Sequence, residues 1–152
     1  MDTLEKAVDR VLSGDASAFQ QIVAATNVRL VRLGARIMGN LADAEDVVQE
    51  AYVKAYRALK AGEFDRRSST ATWLYRIVVN GAIDAKRSRA RRAEQSDLLI
   101  DPSWDGAAFA EARLALSELD DWLETLPLDQ RTALVLQSLE GLNNTEIAQV
   151  MA

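Results

Sequence analysis

The stretch TATWLYRIVVNGAIDAKRSRARR, Thr70 to Arg92, decides how the rest of the chain is read. Its apolar residues recur at helical spacing, so a helix is expected from about Thr70 to Arg89, capped by Ser68 or Ser69. At about 100° per residue, Leu74, Val78 and Gly81 mark the centre of one face. Arg76, Asn80, Asp84 and Arg87 form a narrow stripe about a third of a turn away. Arg and Asn suit base edges, where a good bidentate contact discriminates by roughly 1–3 kcal/mol. An Arg–Asp ladder on a wet surface would use the same residues. Trp73 projects beside the stripe, placed either to stack on an unpaired base or to seal the rim of a core. The run Lys86 to Arg92 has five basic residues in seven. Lys86, Arg89, Arg91 and Arg92 would draw a phosphate backbone, or complement the helix C-terminus as solvated cations.

Upstream, Glu63 to Ser69 is polar and reads as a loop whose one aromatic is Phe64. Three further helices precede it. The first spans Thr3 to Leu12, with Leu4, Ala7, Val8, Val11 and Leu12 on one face. Gly14 stops it, and Asp15 is placed to cap the next. The second sets Phe19, Ile22, Val23, Thr26, Leu30, Leu33 and Ile37 three and four apart and ends at Gly39-Asn40. The third starts near Asp43, turns Ala44, Val47, Val48, Ala51, Tyr52, Ala55 and Leu59 inward, and ends at Gly62.

Downstream, residues 94–107 break helical periodicity around Pro102 and Gly106 and read as a linker. Helices are expected again at about 108–125, 128–139 and 144–151. Pro127 suits a first helical turn, and Asn143 with Glu146 has the spacing of a capping box. No segment alternates like a strand, so the fold class is all-α: a four-helix bundle over 1–93, the linker, and a second part over 108–152. That second part has roughly 45 residues, a marginal core without a partner or more chain.

The chain has no Cys and no His, which excludes a disulfide scaffold and thiolate metal sites and removes the commonest general base. No apolar run reaches membrane-spanning length and no signal-peptide core precedes the first helix, so a cytoplasmic location is expected. The net charge of −5 conceals a division along the chain. Residues 1–60 balance eight acidic against eight basic groups; residues 61–95 carry four against eight; residues 96–152 carry eleven against two. Such segregation predicts a polyanion-binding middle and a separate acidic part. In DAEDVVQE, Asp43 to Glu50, the first acids suit a helix N-terminus. The exposed face Glu45, Asp46, Gln49 and Glu50 reads as a docking surface for a basic partner, with plain solvation as the competing view.

DAEDVVQEAYVKAYRAL followed by TATWLYRIVVNGAIDAKRSRARR resembles the sigma-2 domain of bacterial extracytoplasmic-function (ECF) sigma factors. LPLDQRTALVLQSLEGLNNTEIAQVMA is similar to the start of their sigma-4 domain, so the resemblance covers nearly the whole chain in the family order. It implies that Asp43, Glu45, Asp46, Gln49 and Glu50 dock on the clamp helices of core RNA polymerase. It also implies that the loop residues Phe64, Arg66, Arg67, Ser68 and Ser69, with Trp73, Arg76, Asn80, Asp84 and Arg87, read the −10 element of promoter DNA. There a base of one strand is flipped out and held, at a few kcal/mol of unstacking that contacts must offset. In TATWL, Thr70 and Leu74 stand where housekeeping sigma factors carry aromatics, which implies weaker melting and reliance on a well-matched promoter. The resemblance further implies an anti-sigma factor as partner, a linker with Asp97, Asp101 and Asp105 on a route otherwise taken by RNA, and no cofactor or metal. It places a −35 recognition helix after Ala152, so the sequence reads as a sigma-4 domain truncated before that helix. Two other classes compete: a helical adaptor whose basic stripe binds an acidic protein, and a carboxylate enzyme using Asp43, Glu45 and Asp46.

Overall fold

The computed structural model describes residues 3–95, 122–123 and 125–151, with side chains up to residue 88 in the first segment. Its helices are α1 (Thr3–Leu12), α2 (Phe19–Met38), α3 (Leu41–Lys60), α4 (Thr70–Gln95), α5 (Leu128–Ser138) and α6 (Asn144–Met151), with a 3-10 turn at Ala16–Ala18 before α2. No strand occurs among the described residues. The expected linker, nearly all of the helix expected over 108–125, and the side chains of Arg89, Arg91 and Arg92 lie outside the described residues.

The helix boundaries follow from how each end satisfies its backbone. Gly39 closes α2 in the left-handed region, its N–H returning to the Ala35 carbonyl at 2.7 Å. The next residue, Asn40, is extended and accepts the Asp43 N–H on its side chain at 3.0 Å. That cap starts α3 at Leu41, ahead of the Asp43 start expected from the acidic run. Asp15 does not cap a helix: its carboxylate takes the Arg10 guanidinium at 2.6 Å and the Ser17 hydroxyl, and a 3-10 turn fills the gap. Those two partners hold its carboxyl below the usual range. Pro127 immediately precedes α5 instead of lying in its first turn. The Asn143–Glu146 pair forms the reciprocal box, with N–H···O distances of 3.1 and 2.8 Å.

α2, α3 and α4 pack around Ile22, Leu30, Leu33, Ile37, Val48, Leu74, Val78 and Val79, each 2% exposed or less. All seven apolar positions expected to face inward on α3 are buried, whereas Leu12 of α1 is 41% exposed. Small residues set the spacing between α2 and α3: a Cβ built on Gly34 would stand 3.2 Å from the Ala44 Cβ. The buried hydroxyl of Thr26 is satisfied by the Ile22 carbonyl and the Tyr52 hydroxyl, both at 2.7 Å.

The small C-terminal helices do not build a separate core. Leu123, Val135, Leu136, Leu142 and Val150 belong to the same apolar cluster as the bundle, with α6 against α4 and α5 against α2. Two buried ionic side chains fix the junction. Arg131, 4% exposed, donates to the carbonyls of Leu123 (2.8 Å), Leu126 (3.4 Å) and Ile37 (2.6 Å), the last in the final turn of α2. A cation is favoured there because the helix C-terminus leaves carbonyls without intrahelical donors. Glu140, its side chain 5% exposed, accepts from Arg29 Nε and the Tyr75 hydroxyl at 3.2 Å each. The bundle is thus the partner that the marginal second part requires.

Candidate nucleic-acid interface

The loop before α4 is held at every step. Phe64 is buried, its ring stacked on Trp73 with centroids 4.3 Å apart and planes 23° from parallel. Arg66 sits at φ +60°, an unfavourable region for a side-chain-bearing residue by about 1–2 kcal/mol. Its guanidinium is paired with the Asp9 carboxylate of α1. The Arg67 N–H donates to the Asp65 carboxylate at 3.1 Å, while its own side chain is 88% exposed. The Ser69 hydroxyl accepts the Thr72 N–H at 3.2 Å, making Ser69 the cap among the two serines considered. The Glu5 carboxylate adds a cap from outside the helix, accepting the Thr70 N–H at 2.9 Å and the Thr70 hydroxyl at 2.8 Å.

Along α4 the polar stripe is laid out as its spacing requires. Arg76, Asn80, Asp84 and Arg87 are all exposed, while Leu74, Val78 and Val79 are buried beneath them. Asn80, Asp84 and Arg87 line an open cleft of about 550 Å³, whose opposite wall is Asp129 of α5 and Met151 of α6. Arg87 stands 3.5 Å from Asp129, with both side chains more than half exposed. Two expected contacts are turned inward. Lys86 donates to the Met38 carbonyl at 3.1 Å, at the end of α2, and Phe64 offers no open ring face to a base on its Trp73 side. Thr70 and Leu74, where the chain lacks the housekeeping aromatics, are both buried, so neither position presents a stacking surface.

On α3, Glu45, Asp46, Gln49 and Glu50 are exposed, and Val53, 49% exposed, continues their line by one turn. Asp43 is half-buried beside the Asn40 cap, on the same helix and N-terminal to that face. Among the described residues no three acidic side chains converge as metal ligands would. No described helix is long and apolar enough to cross a membrane.

Comparison with known proteins finds relatives of this helical bundle. The sigma-70 region 2 family matches residues 22–92, from early α2 to the basic end of α4. The RNA polymerase sigma-H factor of Pseudomonas aeruginosa is 36% identical over 97% of this chain and 81% of its own length. The ECF sigma-E factor of Escherichia coli is 38% identical over 95% of this chain and 80% of its own. The chain belongs to the ECF RNA polymerase sigma-factor family. Among solved structures, CnrH in complex with the cytosolic domain of CnrY superposes with a TM-score of 0.72 at 27% identity, over 99% of this chain and 83% of that one. The fold is shared too by the sigma factor RpoE of Bartonella quintana, solved with the anti-sigma factor NepR, at a TM-score of 0.68 and 24% identity over 88% and 82%.

In this ECF sigma-factor chain, the residues that sequence reasoning missed are Glu5, Asp9, Arg131 and Glu140. Glu5 and Glu140 each act across 65 positions of sequence, and Arg131 across 94. The one local signal was Arg131, one of two cations in the acidic stretch 96–152.

Proposed function

We propose that this chain is a promoter-specificity factor with no catalytic chemistry of its own, which docks on core RNA polymerase through α3 and reads the −10 element through the 63–69 loop and α4. The observation that carries this reading is the α4 stripe: Arg76, Asn80, Asp84 and Arg87 stand exposed on a helix whose other face is locked in the core. Arg and Asn offer the bidentate donors and acceptors that base edges need, and a rigid helix holds them in register. Arg67, the most exposed of the loop side chains in an ion pair, supplies a cation where the strand enters. The Arg87–Asp129 pair is weak, worth about 0–1 kcal/mol when this exposed, so a phosphate displaces the carboxylate readily. Lys86 and Phe64 support this surface from inside.

Asp43, Glu45, Asp46, Gln49 and Glu50 form the polymerase contact, and charge complementarity there governs docking rate and register. The region from 108 onward corresponds to the sigma-4 part, with α6 as the supporting helix of a helix-turn-helix that meets the −35 element. An anti-sigma factor is the regulatory partner, and any membrane association of this cytoplasmic factor runs through that partner.

Two variant sets separate the surfaces. Glu45→Lys with Glu50→Lys should abolish binding to core polymerase. Asn80→Ala should retain it while losing roughly 1–3 kcal/mol of −10 discrimination. Loss of polymerase binding on Asn80→Ala would show that the two surfaces are not separate, and a helical adaptor would show no base preference in either case.

A further inference from the structure

The first helix has no place in the reading above, yet two of its carboxylates reach the loop. Glu5 and Asp9 lie one helical turn apart on α1 and meet the two ends of the segment 66–70. Glu5 binds both the N–H and the hydroxyl of Thr70, at 2.9 and 2.8 Å, so the residue that begins α4 is held in two directions at once. Asp9 holds Arg66, the non-glycine residue with positive φ among the described residues. A backbone in that region persists only where its surroundings over-determine it. Here Asp9 grips the side chain, the Asp65 carboxylate takes the next N–H at 3.1 Å, and Glu5 pins the far end. The guanidinium of Arg66 is thereby tied to another helix, while Arg67 beside it pairs with its neighbour Asp65 at 3.0 Å and keeps its side chain 88% exposed.

We propose that Glu5 and Asp9 are positioning residues for promoter reading: acting through Thr70 and Arg66, they set the loop geometry that captures the flipped base. Arg66 is an anchor of that loop, and the neighbouring Arg67 is its DNA contact. This rests on the reading of the 63–69 loop as the −10 pocket. A pocket for a flipped base discriminates by hydrogen bonds to its edge, which fail when the pocket is displaced by an ångström or so. Loosening α1 from the loop therefore affects base choice, whereas the α3 face and its polymerase contact are untouched.

The test uses the full chain assembled with core polymerase. Glu5→Ala, Glu5→Gln, Asp9→Ala and Arg67→Ala are compared on single-stranded −10 oligonucleotides carrying each base in turn at the flipped position. A 2-aminopurine reporter at that position gives the unstacking signal. Glu5→Ala and Asp9→Ala should each reduce the preference for the favoured base roughly tenfold, with a smaller 2-aminopurine rise and unchanged core affinity. Glu5→Gln should recover most of it, since its amide oxygen can accept the Thr70 N–H and its amide nitrogen can donate to the Thr70 hydroxyl. Full discrimination in Glu5→Ala and Asp9→Ala, with weaker oligonucleotide binding in Arg67→Ala, would overturn the positioning role and leave the −10 pocket standing. Full discrimination in the first two with unchanged binding in Arg67→Ala would overturn both. Should Glu5→Ala lower the helical content of the chain, Asp9→Ala, which removes no helix cap, decides the matter alone.

Discussion

At the scale of single residues, this chain places ionisable side chains where burial makes their partners matter. Tyr75 is 3% exposed and donates to Glu140, which is also paired with Arg29. Burial first, and then the Glu140 charge, push its phenol well above the ordinary value near 10. Tyr52, buried against Thr26, is raised as well, by burial. A raised folded pKa means that the folded state keeps a proton which the unfolded state gives up. The stability from these phenols is therefore complete below a pH of about 10 and falls as pH rises beyond it. Urea unfolding followed from pH 9 to 11.5 should show that loss. Tyr75→Phe should lower stability at neutral pH, through the lost hydrogen bond to Glu140, and flatten the alkaline decline. An unchanged alkaline slope in Tyr75→Phe would mean that Tyr75 is not the group responsible.

At the scale of elements, caps explain both what the sequence disclosed and what it hid. Apolar spacing marks α1 to α4, because an amphipathic helix against one core fixes most of the residues that face it, with Leu12 the exception on α1. The Asn143–Glu146 box is equally legible, since both members lie within one turn. The start of α3 at Leu41, behind Asn40, is hidden in sequence because an acid in the first turn, such as Asp43, and a true cap look alike. The difference lies in the extended backbone at Asn40, which follows from the left-handed turn at Gly39. Asn40→Ala should accordingly destabilise the chain by about 1 kcal/mol, read as a shift in urea midpoint at constant slope. Asp43→Asn should move it less. The polar stripe on α4 was legible because it follows from the phase of the apolar face alone. The inward turn of Phe64 and Lys86, and the grip of α1 on the loop, were not. Each depends on contacts between helices, which no spacing within one helix encodes.

At the scale of the molecule, one continuous core joins the bundle and the C-terminal helices, with Arg131 at the seam. Replacing its guanidinium leaves the Ile37 and Leu123 carbonyls buried without that donor, at roughly 1–3 kcal/mol for each group so orphaned. Arg131→Met should therefore destabilise α5 and α6 by on the order of 3 kcal/mol, seen as faster amide exchange in those helices than in α2 and α3. Equal protection in all four would show that the seam does not depend on Arg131. The same seam puts Asp129 and Met151 across the cleft from Asn80, Asp84 and Arg87 of α4.

The central claim is that one face of this chain engages RNA polymerase while another chooses the start site. Transcription reconstituted from purified core polymerase, the chain and a randomised promoter library, with start sites mapped, tests both halves together. The wild-type chain should give starts downstream of one shared −10 sequence. Asn80→Ala should spread those starts over unrelated sequences, and Glu45→Lys with Glu50→Lys should give none. Transcription indistinguishable from that of core polymerase alone, with no binding of the wild-type chain to the polymerase, would contradict the account.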